Sequence, residues 1–150
     1  MNVSDVMHRV VHTCSVDETL DRVARVMWEH DCGSVPLTDA SGKLVAIVTD
    51  RDVCMAAYTQ GQPLTRIVAS TAASRSVATV RENATIDTVE SLMRDHQVRR
   101  IPVVDAAERP VGIVTLNDLV LHAHPGGRRR EGLSAESITK TLAAICEHSR

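Results

Sequence analysis

Apolar residues recur along this chain with helical and then with strand-like spacing, and the same succession occurs twice. Leu20, Val23 and Met27 share one helical face, as do Ile86, Val89 and Met93. Short apolar runs follow each of these: Ser34 to Thr38 then Leu44 to Val48, and later Arg100 to Val104 then Pro110 to Val114. Their length and the polar turns between them (Asp39-Ala40-Ser41-Gly42 and Asp105-Ala106-Ala107-Glu108) predict paired strands. Ahead of each helix a brief strand is expected, ending in Val11 to Thr13 or Val77 to Thr79. Ser15-x-x-Glu18 has the form of a capping box, but Arg81 stands at the place of Ser15 in the second copy. Asp17 and Asn83, both good N-caps at matching positions, are therefore the expected helix starts. A last helix opens at Thr49 or Thr115. The predicted order is β-α-β-β-α, twice.

The two halves superpose without a gap when Pro36 is set on Pro102, an offset of 66 residues (102 − 36). Ser4, Arg9, Val11 and Thr13 then fall on Ser70, Arg75, Val77 and Thr79. Thr19, Asp21, Val23, Met27 and His30 fall on Thr85, Asp87, Val89, Met93 and His96. Val45, Ile47, Val48, Thr49 and Asp52 fall on Val111, Ile113, Val114, Thr115 and Asp118. A single register over such a length marks a duplicated unit. The organisation read from it is a first repeat at 1–58, a linker at 59–68 centred on Thr59-Gln60-Gly61-Gln62-Pro63, and a second repeat at 69–124. Pro125-Gly126-Gly127-Arg128-Arg129-Arg130 breaks the chain again within a linker at 125–133. Ser134 then caps an amphipathic helix at 134–150, with Ile138, Leu142 and Ile145 as its apolar stripe.

Composition narrows the function. The formal net charge is −2, without the basic excess of a nucleic-acid binder. Trp28 and Tyr58 are the only Phe, Trp or Tyr residues, so a base-stacking platform loses further ground. The apolar runs are too short to span a bilayer, and no signal-peptide pattern opens the chain. Cys14, Cys32, Cys54 and Cys146 form no C-x-x-C pair, and reduced thiols in a cytoplasmic protein are the plain expectation.

The chemistry concentrates where the last strand of each repeat meets its last helix: Ala46-Ile47-Val48-Thr49-Asp50-Arg51-Asp52 and Gly112-Ile113-Val114-Thr115-Leu116-Asn117-Asp118. Thr-x-x-Asp at a helix start is a capping box in its own right. The same geometry suits a ligand, because free amides at a helix N-terminus attract phosphate and a carboxylate one turn on can accept both hydroxyls of a ribose. Spacing alone leaves both roles open.

The two copies resemble CBS domains, and the pair resembles a Bateman module. The resemblance is carried by Val-Met-His-Arg-Val-Val-His-Thr, Asp-Glu-Thr-Leu, Gly33-Ser34-Val35-Pro36, Ile101-Pro102-Val103-Val104-Asp105 and the two strand–Thr-x-x-Asp segments, over residues 3 to 124. It implies an α+β fold of two β-α-β-β-α repeats related by a pseudo-twofold axis, here followed by a C-terminal helix. It also implies a non-catalytic regulatory module that binds an adenine nucleotide between the repeats: AMP, ADP or ATP, with NAD and S-adenosylmethionine as further candidates. By the resemblance, Asp52 and Asp118 bind ribose and Thr49 and Thr115 contact phosphate. Arg51, Arg99 and Arg100 are the candidate counter-charges. The adenine pocket would draw on Thr13, Val35 and Pro36, or Thr79, Ile101 and Pro102. Ala46 stands where the family has Gly, Leu37-Thr38 replace its usual apolar pair, and Ala73 stands where the first copy has Met7. Gly112 and the nearby arginines make the second site the expected better one.

Three rival readings bound this expectation. A catalytic Cys14 with His12 lacks a third orienting group, so no enzyme and no catalytic cofactor is expected. His8-x-x-x-His12 overlaps a predicted strand and His122-x-His124 lacks companions, so no metal site is expected. A pure dimerisation or protein-interaction module with no physiological nucleotide is the serious alternative. With no output domain in the sequence, signalling would pass to an unidentified protein target, and a homodimer is the implied assembly.

Overall fold

The computed structural model describes residues 1–123 and 133–147. His124 and the Pro125 to Arg130 break lie outside the described residues. The chain is α+β: β1 (Cys14–Ser15), α1 (Leu20–Glu29), β2 (Ser34–Thr38), β3 (Leu44–Thr49), α2 (Asp50–Gln60), α3 (Ala69–Ala72), α4 (Ile86–His96), β4 (Arg100–Val104), β5 (Pro110–Thr115), α5 (Leu116–Ala123) and α6 (Ala135–Cys146). Short 3-10 turns stand at Val3–Asp5 and Leu64–Arg66. The chain forms two compact bodies. One comprises His12–Val77 and Ala106–Pro110; the other comprises Met1–Val11, Ala78–Asp105 and the described residues from Val111 onward.

In the first body β1 runs parallel to β2, Cys14 opposite Leu37, and β2 runs antiparallel to β3, Val35 opposite Val48. The inner face of this sheet meets the apolar side of α1, burying Leu20, Val23, Val35, Leu37 and Val48 together with Ile67. In the second body β4 pairs with β5, and Val80 adds a single parallel bridge to Val103 in the place of β1. Ile86, Val89 and Met93 of α4 close the equivalent core against Ile101, Val103 and Val114.

Several boundaries differ from those read in the sequence. The first strand of each repeat falls just after the Val-x-Thr segments, at Cys14–Ser15 and Val80. The helices are capped at Thr19 and Thr85, two residues past Asp17 and Asn83. Backbone pairing decides this. Thr19 bridges Val68 and Thr85 bridges Asn2, and the first helical amides are taken by distant carbonyls, Leu20 N–H by Ile67 and Ile86 N–H by Met1. α2 also continues through Thr59 and Gln60 until Gly61, whose left-handed φ of 60° closes the helix. The turn-rich linker therefore begins at Gly61.

Those distant carbonyls reveal a crossover. The opening segment of each repeat packs on the other repeat's sheet. His8 pairs antiparallel with Ile113 of β5, exchanging N–H···O bonds of 2.9 and 3.0 Å. Ser74, its counterpart 66 positions on (74 − 8), pairs in the same way with Ile47 of β3 at 3.0 Å in both directions. Two of the residues that depart from the family pattern, Ala46 and Ala73, are explained here. A Cβ on Gly112 would lie 2.7 Å from Met7 Sδ and 3.0 Å from the His8 carbonyl oxygen. The large Met7 therefore requires glycine opposite it. In the first body the corresponding pair is Ala73 and Ala46, with Ala46 in the core and Ala73 packed on it. A small residue on one side permits the methyl on the other.

α6 packs on α4 and α5 of the second body. Ser134 caps it as expected, accepting from the Ser137 N–H. Its buried face is Ile138, Thr141 and Ile145, while Leu142 is 40% exposed. The expected stripe is thus corrected at Leu142. The reason lies in α4, where buried Glu90 accepts from Ser137 Oγ at 2.7 Å and Thr141 Oγ1 at 3.1 Å, and Arg94 donates to Thr141 Oγ1 at 2.8 Å. A carboxylate buried at this face needs hydroxyl partners.

The Gly112–Met7 account predicts that Gly112→Ala destabilises the protein by about 1–3 kcal/mol through overpacking. In a Met7→Ala background, which recreates the Ala46–Ala73 pair, the same Gly112→Ala change adds little to the cost of losing the buried Met7 side chain. Urea denaturation midpoints of the wild type, both single variants and the double variant measure the coupling.

Candidate ligand-binding site

Each strand-to-helix junction builds the same carboxylate seat. At Thr49, Asp52 Oδ2 accepts from the backbone N–H and from Oγ1, both at 2.8 Å, while Thr49 Oγ1 accepts from the Asp52 N–H at 3.2 Å. At Thr115, Asp118 Oδ2 accepts from the same two groups at 2.7 Å and Thr115 Oγ1 accepts from the Asp118 N–H at 3.3 Å. Both Thr-x-x-Asp units are complete capping boxes. Capping consumes only one carboxylate oxygen of each pair. The other oxygen is what remains for a ligand.

The two junctions differ in what surrounds that oxygen. Asp52 is half-buried, and its Oδ1 has no protein partner among the described residues. Asp118 is 5% exposed, and its Oδ1 lies 2.8 Å from His8 Nε2. The helix amides differ too. In α2 the Asp50 N–H donates to the Gly33 carbonyl at 3.2 Å and the Arg51 N–H to the Asp50 carboxylate at 2.8 Å. With the Thr49 and Asp52 amides already committed, no leading amide of α2 is open. In α5 the Leu116 N–H donates to the Arg99 carbonyl at 2.9 Å, and an apolar side chain stands where α2 carries the acidic Asp50.

The remaining candidate residues fall into the same two sets. In the first body Thr13 precedes the Cys14–Leu37 pairing, which brings it beside Pro36 on β2; Thr13 is exposed, while Val35 and Pro36 are buried. In the second body the Val80 N–H donates to the Pro102 carbonyl at 3.1 Å, so half-buried Thr79 lies beside buried Ile101 and Pro102. Val35 and Ile101 belong to the two cores, so their side chains are committed to packing. Arg51 and Arg99 are exposed and Arg100 is half-buried on β4. Sequence reasoning singled out neither Asp50 nor His8 as a partner of these seats. Asp50 could have been noticed as an acid at the first helical position, whereas the approach of His8 to Asp118 depends on the crossover.

Comparison with known proteins fits this geometry. The CBS domain model matches residues 3–58 and 68–124. The chain belongs to the CBS domain family. Hypoxic response protein 1 of Mycobacterium tuberculosis is 33% identical over 142 residues, covering 95% of this chain and 92% of that protein. A crystal structure of Hypoxic Response Protein I with two coordinated zinc ions has a TM-score of 0.74 and 34% identity, over 81% of this chain and 98% of that one. The CBS domain pair of protein MJ0100, crystallised in complex with 5′-methylthioadenosine and S-adenosyl-L-methionine, has a TM-score of 0.73 and 28% identity, over 80% and 93% of the two chains. An uncharacterized protein of Methanopyrus kandleri is 33% identical over 120 residues; the match spans 61% of that protein's length. This chain is thus a CBS pair followed by a C-terminal helix.

Among the described residues of this CBS pair no group of three or more His, Cys, Asp or Glu side chains is placed to hold a metal ion. His12 stacks on His30, ring centroids 3.4 Å apart. No described helix is long and apolar enough to cross a membrane. Cys14 is buried beside Glu18, and burial, reinforced by that carboxylate, pushes its thiol up to about 12. Its thiolate form is negligible at neutral pH, which removes the nucleophile that an enzyme built on Cys14 would need. Iodoacetamide at pH 8 is therefore expected to label exposed Cys54 and Cys146 in the folded protein and to reach Cys14 only after denaturation. Peptide mass spectrometry decides; labelling of Cys14 as fast as Cys54 contradicts the burial account.

Proposed function

We propose that this CBS pair is a non-catalytic regulatory module that binds an adenosine-containing ligand and passes the change in conformation to a protein target. The observation that carries the reading is the doubled Thr-x-x-Asp junction, in which capping uses Oδ2 of Asp52 and leaves Oδ1 to accept ribose hydroxyls. The MJ0100 pair in complex with two adenosyl compounds supports the ligand class. In this reading Asp52 and Asp118 are ribose acceptors. Thr49 and Thr115 hold those carboxylates in place, and Thr13 with Pro36, or Thr79 with Pro102, lies along the base.

Within that class the α2 junction favours ligands without phosphate. Its leading amides are all satisfied, and Asp50 places a second carboxylate where a phosphate would otherwise meet the helix dipole. Arg51 offsets that charge only from an exposed position. S-adenosylmethionine, with its cationic sulfonium, and uncharged 5′-methylthioadenosine therefore rank above AMP, ADP, ATP and NAD at Asp52. The module works in the cytoplasm as a homodimer in this reading. Met55 on α2 and Leu121 on α5, equivalent positions of the two repeats, are 43% and 69% exposed and offer matching apolar faces to a second copy.

A thermal-shift series with S-adenosylmethionine, 5′-methylthioadenosine, AMP, ADP, ATP and NAD tests the reading. A ligand at one hundred times its Kd stabilises the folded state by about 2.7 kcal/mol and raises the midpoint accordingly. The expected result is a rise with the first two compounds that Asp52→Ala abolishes, relative to that variant's own midpoint. No rise with any of the six at millimolar concentration overturns the reading in favour of a dimerisation or interaction module.

A further inference from the structure

The two carboxylate seats are built alike, but only one carries a second occupant. Asp118 is committed at both oxygens: Oδ2 to the Thr115 box and Oδ1 to His8 Nε2 at 2.8 Å. Asp52 is committed at Oδ2 alone. We propose that His8 occupies the ribose seat at Asp118, so that this chain takes its adenosyl ligand at Asp52 and the Asp118 seat opens only when His8 leaves. The proposal rests on the adenosine reading given above and assigns it an occupancy.

The placement of His8 is fixed by the backbone. Its N–H and carbonyl pair with Ile113 at 2.9 and 3.0 Å, which sets the residue across β5 just before the Thr115 box. Gly112 makes that approach possible, because a Cβ there would meet both Met7 and the His8 carbonyl. The imidazole is thus delivered to Asp118 by the same crossover that completes the body. His122 does not compete for the carboxylate, since its Nδ1 lies 2.7 Å from the Asp118 backbone carbonyl. The counterpart of His8 in the other crossover is Ser74, held to Ile47 by the same two backbone bonds. No bond joins the Ser74 side chain to Asp52 among the described residues. The asymmetry therefore traces to one side chain in an otherwise duplicated frame.

Ribose recognition needs an accessible carboxylate oxygen, and Asp118 is 5% exposed with His8 in place. The His8 side chain itself is 67% exposed, so it can swing into solvent with little loss of burial. A ligand at Asp118 must break one hydrogen bond to a carboxylate before forming its own, a handicap of about tenfold or more in affinity.

Isothermal titration of the full chain with S-adenosylmethionine, 5′-methylthioadenosine and AMP tests this. The wild type is expected to bind one equivalent, lost in Asp52→Ala and retained in Asp118→Ala. His8→Ser, which copies the residue of the other crossover, is expected to gain a second equivalent that Asp118→Ala removes again. His8→Gln, which keeps a donor, stays at one equivalent, and circular dichroism melts establish that each variant is folded. Two equivalents in the wild type, or one equivalent in folded His8→Ser, overturns the occupancy of Asp118 while leaving the ligand reading intact. Absence of binding by every probe to both the wild type and His8→Ser overturns the ligand reading and this proposal with it.

Discussion

The antiparallel pairing of His8 with Ile113, repeated by Ser74 with Ile47, is the constraint on which the rest of the molecule depends. Each repeat leaves the far edge of its hairpin without a partner, and an open edge is costly in exposed backbone and in unwanted pairing. The opening segment of the other repeat covers that edge. The same segments bury Val3 and Ala69, both fully inaccessible, and supply carbonyls to the first amides of α1 and α4. The body that contains His8 is therefore assembled from separate stretches of chain, Met1–Val11 with Ala78–Asp105 and the described residues from Val111 onward. The other body is the stretch His12–Val77, which includes Ser74, with Ala106–Pro110 added.

This constraint also governs the chemistry of the junctions. A carboxylate at the third position of a helix stabilises it by capping, and a substitution there costs about 1 kcal/mol before any ligand is considered. Asp52 and Asp118 thus have a structural reason to exist. In the proposed reading, a ligand is received only at the oxygen that the cap leaves over. The crossover then distinguishes the two seats, because it brings His8 against Asp118 and the shorter Ser74 to the place facing the other junction.

Much of this was legible in the sequence, and the exceptions share one origin. The 66-residue register revealed the duplication, and β2 and β4 fall at Ser34–Thr38 and Arg100–Val104 as their apolar runs indicate. Thr49 and Ser134 cap their helices as their positions suggest. The helix starts at Leu20 and Ile86 were misplaced because distant backbone carbonyls, invisible to local propensity, satisfy their amides. Ala46 and Ala73 stand in the sequence as separate departures from a family pattern, with Gly112 and Met7 at the matching positions. They are two pairs that meet only across the crossover. Leu142 was placed in the apolar stripe of α6 because Glu90, which draws Thr141 inward instead, lies 51 residues away in sequence.

The central claim is that a capping carboxylate, Asp52, also receives a ligand. Nitrogen-15 amide spectra of the full chain titrated with S-adenosylmethionine test it most directly, because the amides of Thr49 and Asp52 report on the box itself. The account predicts saturable shifts at Thr49, Asp52 and Thr13, with Thr115 and Asp118 unmoved. Unshifted Thr49 and Asp52 amides at millimolar ligand would contradict it and leave Thr-x-x-Asp as a helix cap alone.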